Sequence, residues 1–180
     1  MSKGMPTRDD LAWLKAMVCP AQMSQSKWGV PASVTLAQCI VESGWGRSKL
    51  ALKNRNYFGI KAIPGQEYCE YVTAEDGATG TKMERAKFAV YPSAIESFNA
   101  HGRLLATLPR YASAMAVRDD VPAFCLALQE GGYSTSRDPV THTLNYAHRL
   151  MNDFILPLKL LYYDIAPPPG EPAVATQEAA

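Results

Sequence analysis

The stretch Val34–Leu50, VTLAQCIVESGWGRSKL, closes an apolar run with one carboxylate, Glu42, followed at once by Ser43-Gly44-Trp45-Gly46. Val34, Ala37, Ile40 and Val41 fall on one side of a helix turning about 100° per residue. Gly44 and Gly46 supply the backbone freedom that ends it. A carboxylate in a last helical turn faces the negative end of the helix dipole, where its charge is disfavoured. Gln38 lies one turn before Glu42 on the same face, and Trp45 about one turn after. Dipole and neighbouring indole both raise the carboxyl pKa. An acid held partly protonated near neutrality can donate a proton to a leaving group, and in a cleft that suits cleavage of a glycosidic bond. Taken alone, a Glu at such a place is more often a solvated residue at a frayed helix end.

The surrounding elements must hold that carboxyl in a cleft. Thr7 before Arg8-Asp9-Asp10 reads as a helix cap with acids in the first turn. Leu11, Leu14, Met17 and Val18 follow at helical spacing; Cys19-Pro20 is expected to interrupt, with a second segment running to about Gly29. A short helix is expected near Ser48–Lys53. From Tyr57 to Pro92 the texture changes to short aromatic and β-branched stretches, YFGIKA, EYCEYVTA and AKFAVY, separated by Pro64-Gly65 and by residues 75–80. This predicts a small antiparallel β element inside a helical protein. Ser93-Ala94-Ile95-Glu96 is a capping box opening a helix to about Leu108. Asp120-Val121-Pro122 opens another, closed by Gly131-Gly132. A last helix carries LNYAHRLMNDFI and stops at Pro157. The fold class is therefore α+β, mainly α: a helical lobe with a small antiparallel β lobe over about residues 57–92, and a cleft between them. Residues 1–6 read as a flexible start, 7–164 as one domain, and the Pro/Ala-rich 165–180 as a disordered tail.

Composition narrows the function classes. The 180 residues are 47% hydrophobic and 19% charged, enough for a real core. A net charge of +1 offers no field to recruit nucleic acid. FILPLKLLYY is too short for a membrane span and carries Lys159, so no membrane insertion is expected. MSKGMPTRDDLAW lacks the basic-then-apolar layout of a secretory leader. Cys19, Cys39, Cys69 and Cys125 are widely spaced without a CxxC pair or clustered histidines, which argues against a zinc site. They read as four buried free thiols, with one disulfide left open. No metal or other cofactor is expected.

Several motifs together resemble one family. VPASVTLAQCIVESGWGRSKLALKNRNYFGIKA, KFAVYPSAIESFNAHGRLL, PRYASAMAVRDDVPAFCLALQEGGYST and NYAHRLMNDF resemble, in order, the catalytic domain of bacterial N-acetylglucosaminidases, glycoside hydrolase family 73. The resemblance spans roughly residues 8–156 and implies a lysozyme-like helical lobe with a small β lobe. It implies hydrolysis of the β-1,4 bond after N-acetylglucosamine in peptidoglycan, with glycan strands as the partner.

Carried over residue by residue, the resemblance puts Glu42 on the family's general acid. Family members often place a second acid on the β lobe after a Thr, and Thr73-Ala74-Glu75 fits; Glu70 and Glu84 compete, and Glu75 beside Asp76-Gly77 also reads as a turn residue. Tyr133 in GGYST matches a tyrosine lining the cleft near the scissile sugar. Tyr146 matches a second tyrosine, as packing or as a sugar contact. Asn56 in NYFGIK matches the hinge into the β lobe and is a candidate substrate contact beside Gln38 and Trp45. SRDPVTHTLNYAHRL is longer than the family pattern, so contacts of the 134–145 loop are not carried over. Two rival classes stay open: a lytic transglycosylase or muramidase, and a non-catalytic glycan-binding module. The remaining expectation concerns setting: export without a classical leader to act on the periplasmic wall. The favoured form is an antibacterial effector of a type VI secretion kind, whose producer keeps a periplasmic immunity protein over the cleft; phage and secretion-apparatus enzymes are the alternatives.

Overall fold

The computed structural model describes residues 5–77, 80–134 and 141–165, with side chains outside 73–84. The chain orders as α1 (Arg8–Trp28), α2 (Ala32–Ser43), α3 (Lys49–Asn54), β1 (Tyr68–Gly77), β2 (Gly80–Ala89), α4 (Ala94–Thr107), α5 (Ala112–Ala116), α6 (Val121–Glu130) and α7 (Tyr146–Arg149). The helical lobe and the two-stranded antiparallel sheet match the α+β expectation. Expectations for residues 1–4 and 166–180 lie outside the described residues.

Caps form where the sequence placed them, although at Ser93–Glu96 only the Ser93 half of the expected capping box is made. Thr7 and Asp10 close a reciprocal capping box on α1. The side chains of Ser48, Ser93 and Asp120 accept from the backbone N–H groups of Ala51, Glu96 and Ala123.

One boundary is a correction. Cys19-Pro20 does not interrupt α1, which runs unbroken through Pro20. An interior proline normally costs about 3 kcal/mol, because it removes a donor and crowds the carbonyl four residues back. Here that residue is exposed Ala16, where water can satisfy the carbonyl, while Leu14, Met17, Pro20, Ala21 and Ser24 form the buried stripe. The stripe packs on α2 and α4, and Ser24 Oγ donates to the Phe98 carbonyl at 2.9 Å. Tertiary contact keeps the helix whole.

The core is built around α2. Every residue from Pro31 to Ile40 is buried, as expected of a helix that is apolar all round. Only at Val41 and Glu42 does the helix reach the surface. The β lobe is simpler than its three stretches suggested: β1 and β2 pair from Tyr68↔Ala89 to Gly77↔Gly80, and YFGIKA contributes a single bridge, Lys61↔Phe88. The last helix also differs, since after α7 the chain widens into a π-helical turn over Leu150–Ile155. All four thiols are free; Cys39 and Cys125 are buried as expected, but Cys19 is exposed and Cys69 only half-buried.

Candidate active site

Glu42 leaves the buried helix one residue before its end, and the loop after it is clamped. Gly44 caps α2 in the left-handed conformation and donates to the Ile40 carbonyl. Ser43 Oγ donates to the Cys39 carbonyl at 2.6 Å and accepts from Gly46 N–H at 2.7 Å. Gly46, at φ +73°, lies so close to the Trp13 indole that a Cβ would overlap the ring. Arg47 then pairs with Asp10, whose carboxyl is held below its usual pKa first by Thr7 and then by Arg47. The Ser-Gly-Trp-Gly-Arg sequence is thus the fastening of the helix exit onto α1.

A groove of ≈ 1020 Å³ runs between the helical lobe and the base of the hairpin, with Glu42 and Tyr133 both on its wall. The Glu42 carboxyl is reachable by solvent yet hemmed in by its neighbours, as a group on the wall of an open groove is. Desolvation raises its pKa, and the charge of Arg149 partly opposes the rise. The direction expected from sequence holds, and burial dominates it.

The neighbours differ from those expected. Trp45 packs edge-on against Trp13, ring centroids 6.2 Å apart, and is not among the groove-lining residues. Gln38 is fully buried; its amide donates to the Tyr146 hydroxyl at 3.0 Å. Tyr146 is buried too, and stacks on Tyr133 at 5.3 Å. Gln38 and Tyr146 therefore brace Tyr133 from behind and do not line the groove. Asn56 is a further correction. It is buried, donates to the carbonyls of Ile60 and Ala89, and accepts from Ile60 N–H. Its amide is spent on fastening the hairpin base and is not offered to a ligand.

Two participants escaped the sequence reading. His101, buried on α4, stacks on Phe58 at 4.0 Å, and its Nε2 lies 3.3 Å from the Tyr133 hydroxyl. Burial pushes its pKa down to about 3, so the ring is neutral. Among the described residues, its Nδ1 has no hydrogen-bond partner. A buried N–H without an acceptor is the costlier defect, which places the single proton on Nε2 and makes Tyr133 its acceptor. The phenol, kept protonated by burial and by the nearby Tyr146 and Glu42, then has its own O–H left to donate into the groove. Arg149, at the end of α7, is the second. Both lie inside motifs quoted above, NAHGRLL and NYAHRL, but lone His and Arg on helices carry no signal by themselves.

Glu75 lies in β1 opposite Lys82, two pairs from the Gly77↔Gly80 end of the hairpin; its side chain is outside the described residues, as are those of Glu84 and Asp76. Glu70 sits on the hairpin surface with Arg85, N to O 3.8 Å. The 134–145 loop expectation falls partly on residues 135–140, also outside the described ones.

Comparison with known proteins identifies the family. Residues 19–154 match the family model described as Glucosaminidase: Mannosyl-glycoprotein endo-beta-N-acetylglucosaminidase. The chain is 35% identical over 150 residues to the peptidoglycan hydrolase FlgJ of Escherichia coli (strain K12), covering 80% of this chain and 45% of that protein. It thus spans about half the length of the curated relatives it matches. The catalytic domain of the autolysin Auto from Listeria monocytogenes superposes with a TM-score of 0.75 at 27% identity, covering 91% of this chain and 92% of that one. A type VI secretion system effector-immunity complex from Pseudomonas protegens gives 0.54 at 21% identity over 87% of this chain and 96% of that one, a likeness of fold alone. The quoted motifs that resemble family 73 all lie within the matched residues, the lysozyme-like fold that the resemblance implied is that of the matched structures, and the chain belongs to the glucosaminidase family of glycoside hydrolases.

Proposed function

We propose that this chain hydrolyses peptidoglycan at the β-1,4 bond after N-acetylglucosamine, with Glu42 as general acid. The observation that carries this is the Glu42 carboxyl on the groove wall, partly desolvated and within electrostatic reach of the protonated Tyr133 phenol that lines the same groove. Protonation of the leaving oxygen by Glu42 requires its acid form, which desolvation favours. The Tyr133 O–H is placed to hold an oxygen of the bound sugar, such as its acetamido carbonyl. The second role falls to Glu75, activating water from the hairpin, or to the sugar's own acetamido group.

Digestion of purified sacculi, with labelled reducing ends read by mass spectrometry, tests the reading. Ends at N-acetylglucosamine are expected; muramic or anhydro-muramic ends would move the chain to the muramidase or transglycosylase class. Glu42→Gln should lower turnover by about two to four orders of magnitude. Binding of glycan without cleavage by the native chain would leave only the binding-module reading. Loss of activity in Glu75→Gln, with Glu70→Gln spared, would give Glu75 the second role; full activity would give it to the substrate.

For the biological setting, we read an enzyme of the periplasmic wall, and specifically an antibacterial effector covered by an immunity protein. What supports the finer reading is the shared fold with the Pseudomonas protegens effector and an open groove that one inserted segment could plug over Glu42. Expression in a bacterium with and without an added periplasmic signal tests it. Lysis only on export, relieved by a neighbouring gene's product, is the expected result; harmlessness in both compartments with active purified enzyme would refute it.

A further inference from the structure

The chain as a whole is nearly balanced, 18 basic against 17 acidic residues, but the groove is not. Its walls carry Lys27, Lys61, Arg103 and Arg110 against Glu42 and Glu96, and Glu42 is the carboxyl whose charge burial disfavours. Charge on a groove wall is focused by the low-dielectric protein on either side, so an imbalance there counts for more than on an open face.

Three of these cations, Lys27, Arg103 and Arg110, are held without being neutralised. Among the described residues, Lys27, Arg103 and Arg110 have no carboxylate within salt-bridge distance. The Arg110 guanidinium lies 4.6 Å over the Tyr111 ring, and the Lys27 ammonium 5.4 Å over Trp28. A ring beneath a cation fixes it without cancelling its charge, and although Arg110 also donates to the Tyr111 phenol, a guanidinium has further N–H groups for an acceptor. Arg103 sits one helical turn beyond Asn99 on the groove-facing stripe of α4, near enough to the Tyr91 phenol for its charge to act there. Arg103 and Arg110 thus border the groove on the helical side, at the exit of α4 and just after it. A neutral sugar polymer has no use for such charges; a ligand with carboxylates does.

We propose that Arg103 and Arg110, with Lys27, form a cationic subsite that takes the carboxylates carried on the muramic side of the glycan strand. This rests on the peptidoglycan reading above and adds a specificity determinant to it. Two sources share that chemistry: the peptide stem, and the lactyl carboxylate exposed when the stem is removed. Each contact is a solvent-exposed ion pair, so single substitutions weaken binding about two- to fivefold and salt weakens it further.

The test uses the full chain in a Glu42→Gln background, so that binding is read without hydrolysis. Isothermal titration compares stem-bearing strand fragments, amidase-stripped fragments and chitotetraose, with and without Arg103→Gln/Arg110→Gln. A thermal melt confirms that the variants fold. Tighter binding of stem-bearing fragments than of chitotetraose, reduced about tenfold by the double substitution and fading in high salt, is expected. Stripped fragments that bind like stem-bearing ones assign the lactyl group; those that bind like chitotetraose assign the stem. Equal affinity for all three, a preference unchanged by the double substitution, or no binding at all would overturn the subsite. Hydrolysis of sacculi by the native chain, measured separately, keeps that failure distinct from failure of the peptidoglycan reading.

Discussion

The Nε2 of His101 meets the hydroxyl of Tyr133 at 3.3 Å while its Nδ1 meets no partner among the described residues. That asymmetry favours the tautomer with its proton on Nε2, which leaves the Tyr133 O–H free to donate elsewhere. His101 does not line up as an acid or base: it is a positioning residue that acts through the phenol.

If so, His101→Phe and Tyr133→Phe should not add. Each alone should lower kcat about tenfold or more, the range expected for a hydrogen bond worth roughly 1–3 kcal/mol, with KM changed less. The double variant should be little worse than Tyr133→Phe. His101→Gln, which keeps a donor near the Nε2 position, should recover part of the loss. Additive losses in steady-state kinetics would return His101 to a purely packing role.

The same ring predicts an acid sensitivity of the fold. His101 titrates near 6.5 when unfolded but is pushed down to about 3 by burial. Below pH 6.5 the unfolded chain gains a proton that the native chain refuses, so stability falls as pH drops through that window. The contribution approaches about 1.4 kcal/mol per pH unit and levels off near the folded pKa. Thermal melts from pH 7 to pH 4 should show His101→Gln losing less stability over the interval than the native chain. Identical slopes would count against a neutral buried imidazole.

Arg149 is expected to shift the alkaline limit of catalysis. Its charge lowers the Glu42 pKa against the larger effect of desolvation. Removing it in Arg149→Gln should raise the Glu42 pKa further and keep the acid protonated to higher pH. The falling alkaline limb of the kcat/KM profile should therefore move upward. A limb that stays or moves down would mean that another group controls it.

Gly46 should tolerate no side chain. Gly46→Ala must adopt φ +73° and push its methyl into the Trp13 indole. Left-handed strain and overpacking together cost about 2–4 kcal/mol. Denaturant unfolding should show that loss, and activity should fall with it because the same loop fastens the exit of Glu42. A neutral result would mean that the Trp13 ring moves aside freely.

What could be read from sequence was local. Thr7, Ser93 and Asp120 satisfy backbone donors three residues away, so their caps are written in short spacing. Glu42 stood out because an acid at the end of an apolar helix conflicts with its own dipole. Failures arose where distant contacts decide. Pro20 stays helical because α2 and α4 cover its face, which no window around Pro20 contains. Asn56 matched a motif position, but its amide is consumed by Ile60 and by Ala89, a residue far along the chain. His101 gains its role from Tyr133, 32 positions later.

Asn56 also governs leverage. The two-stranded hairpin rises from the base that this side chain fastens, and Glu75 stands seven residues beyond Tyr68 along β1. At about 3.4 Å per residue that arm is roughly 24 Å long, so a tilt of about 10° at the base sweeps the α-carbon of Glu75 through about 4 Å. A single buried amide thus anchors the base of the arm on which Glu75 stands, and a small change of angle there becomes several ångströms at the Glu75 α-carbon.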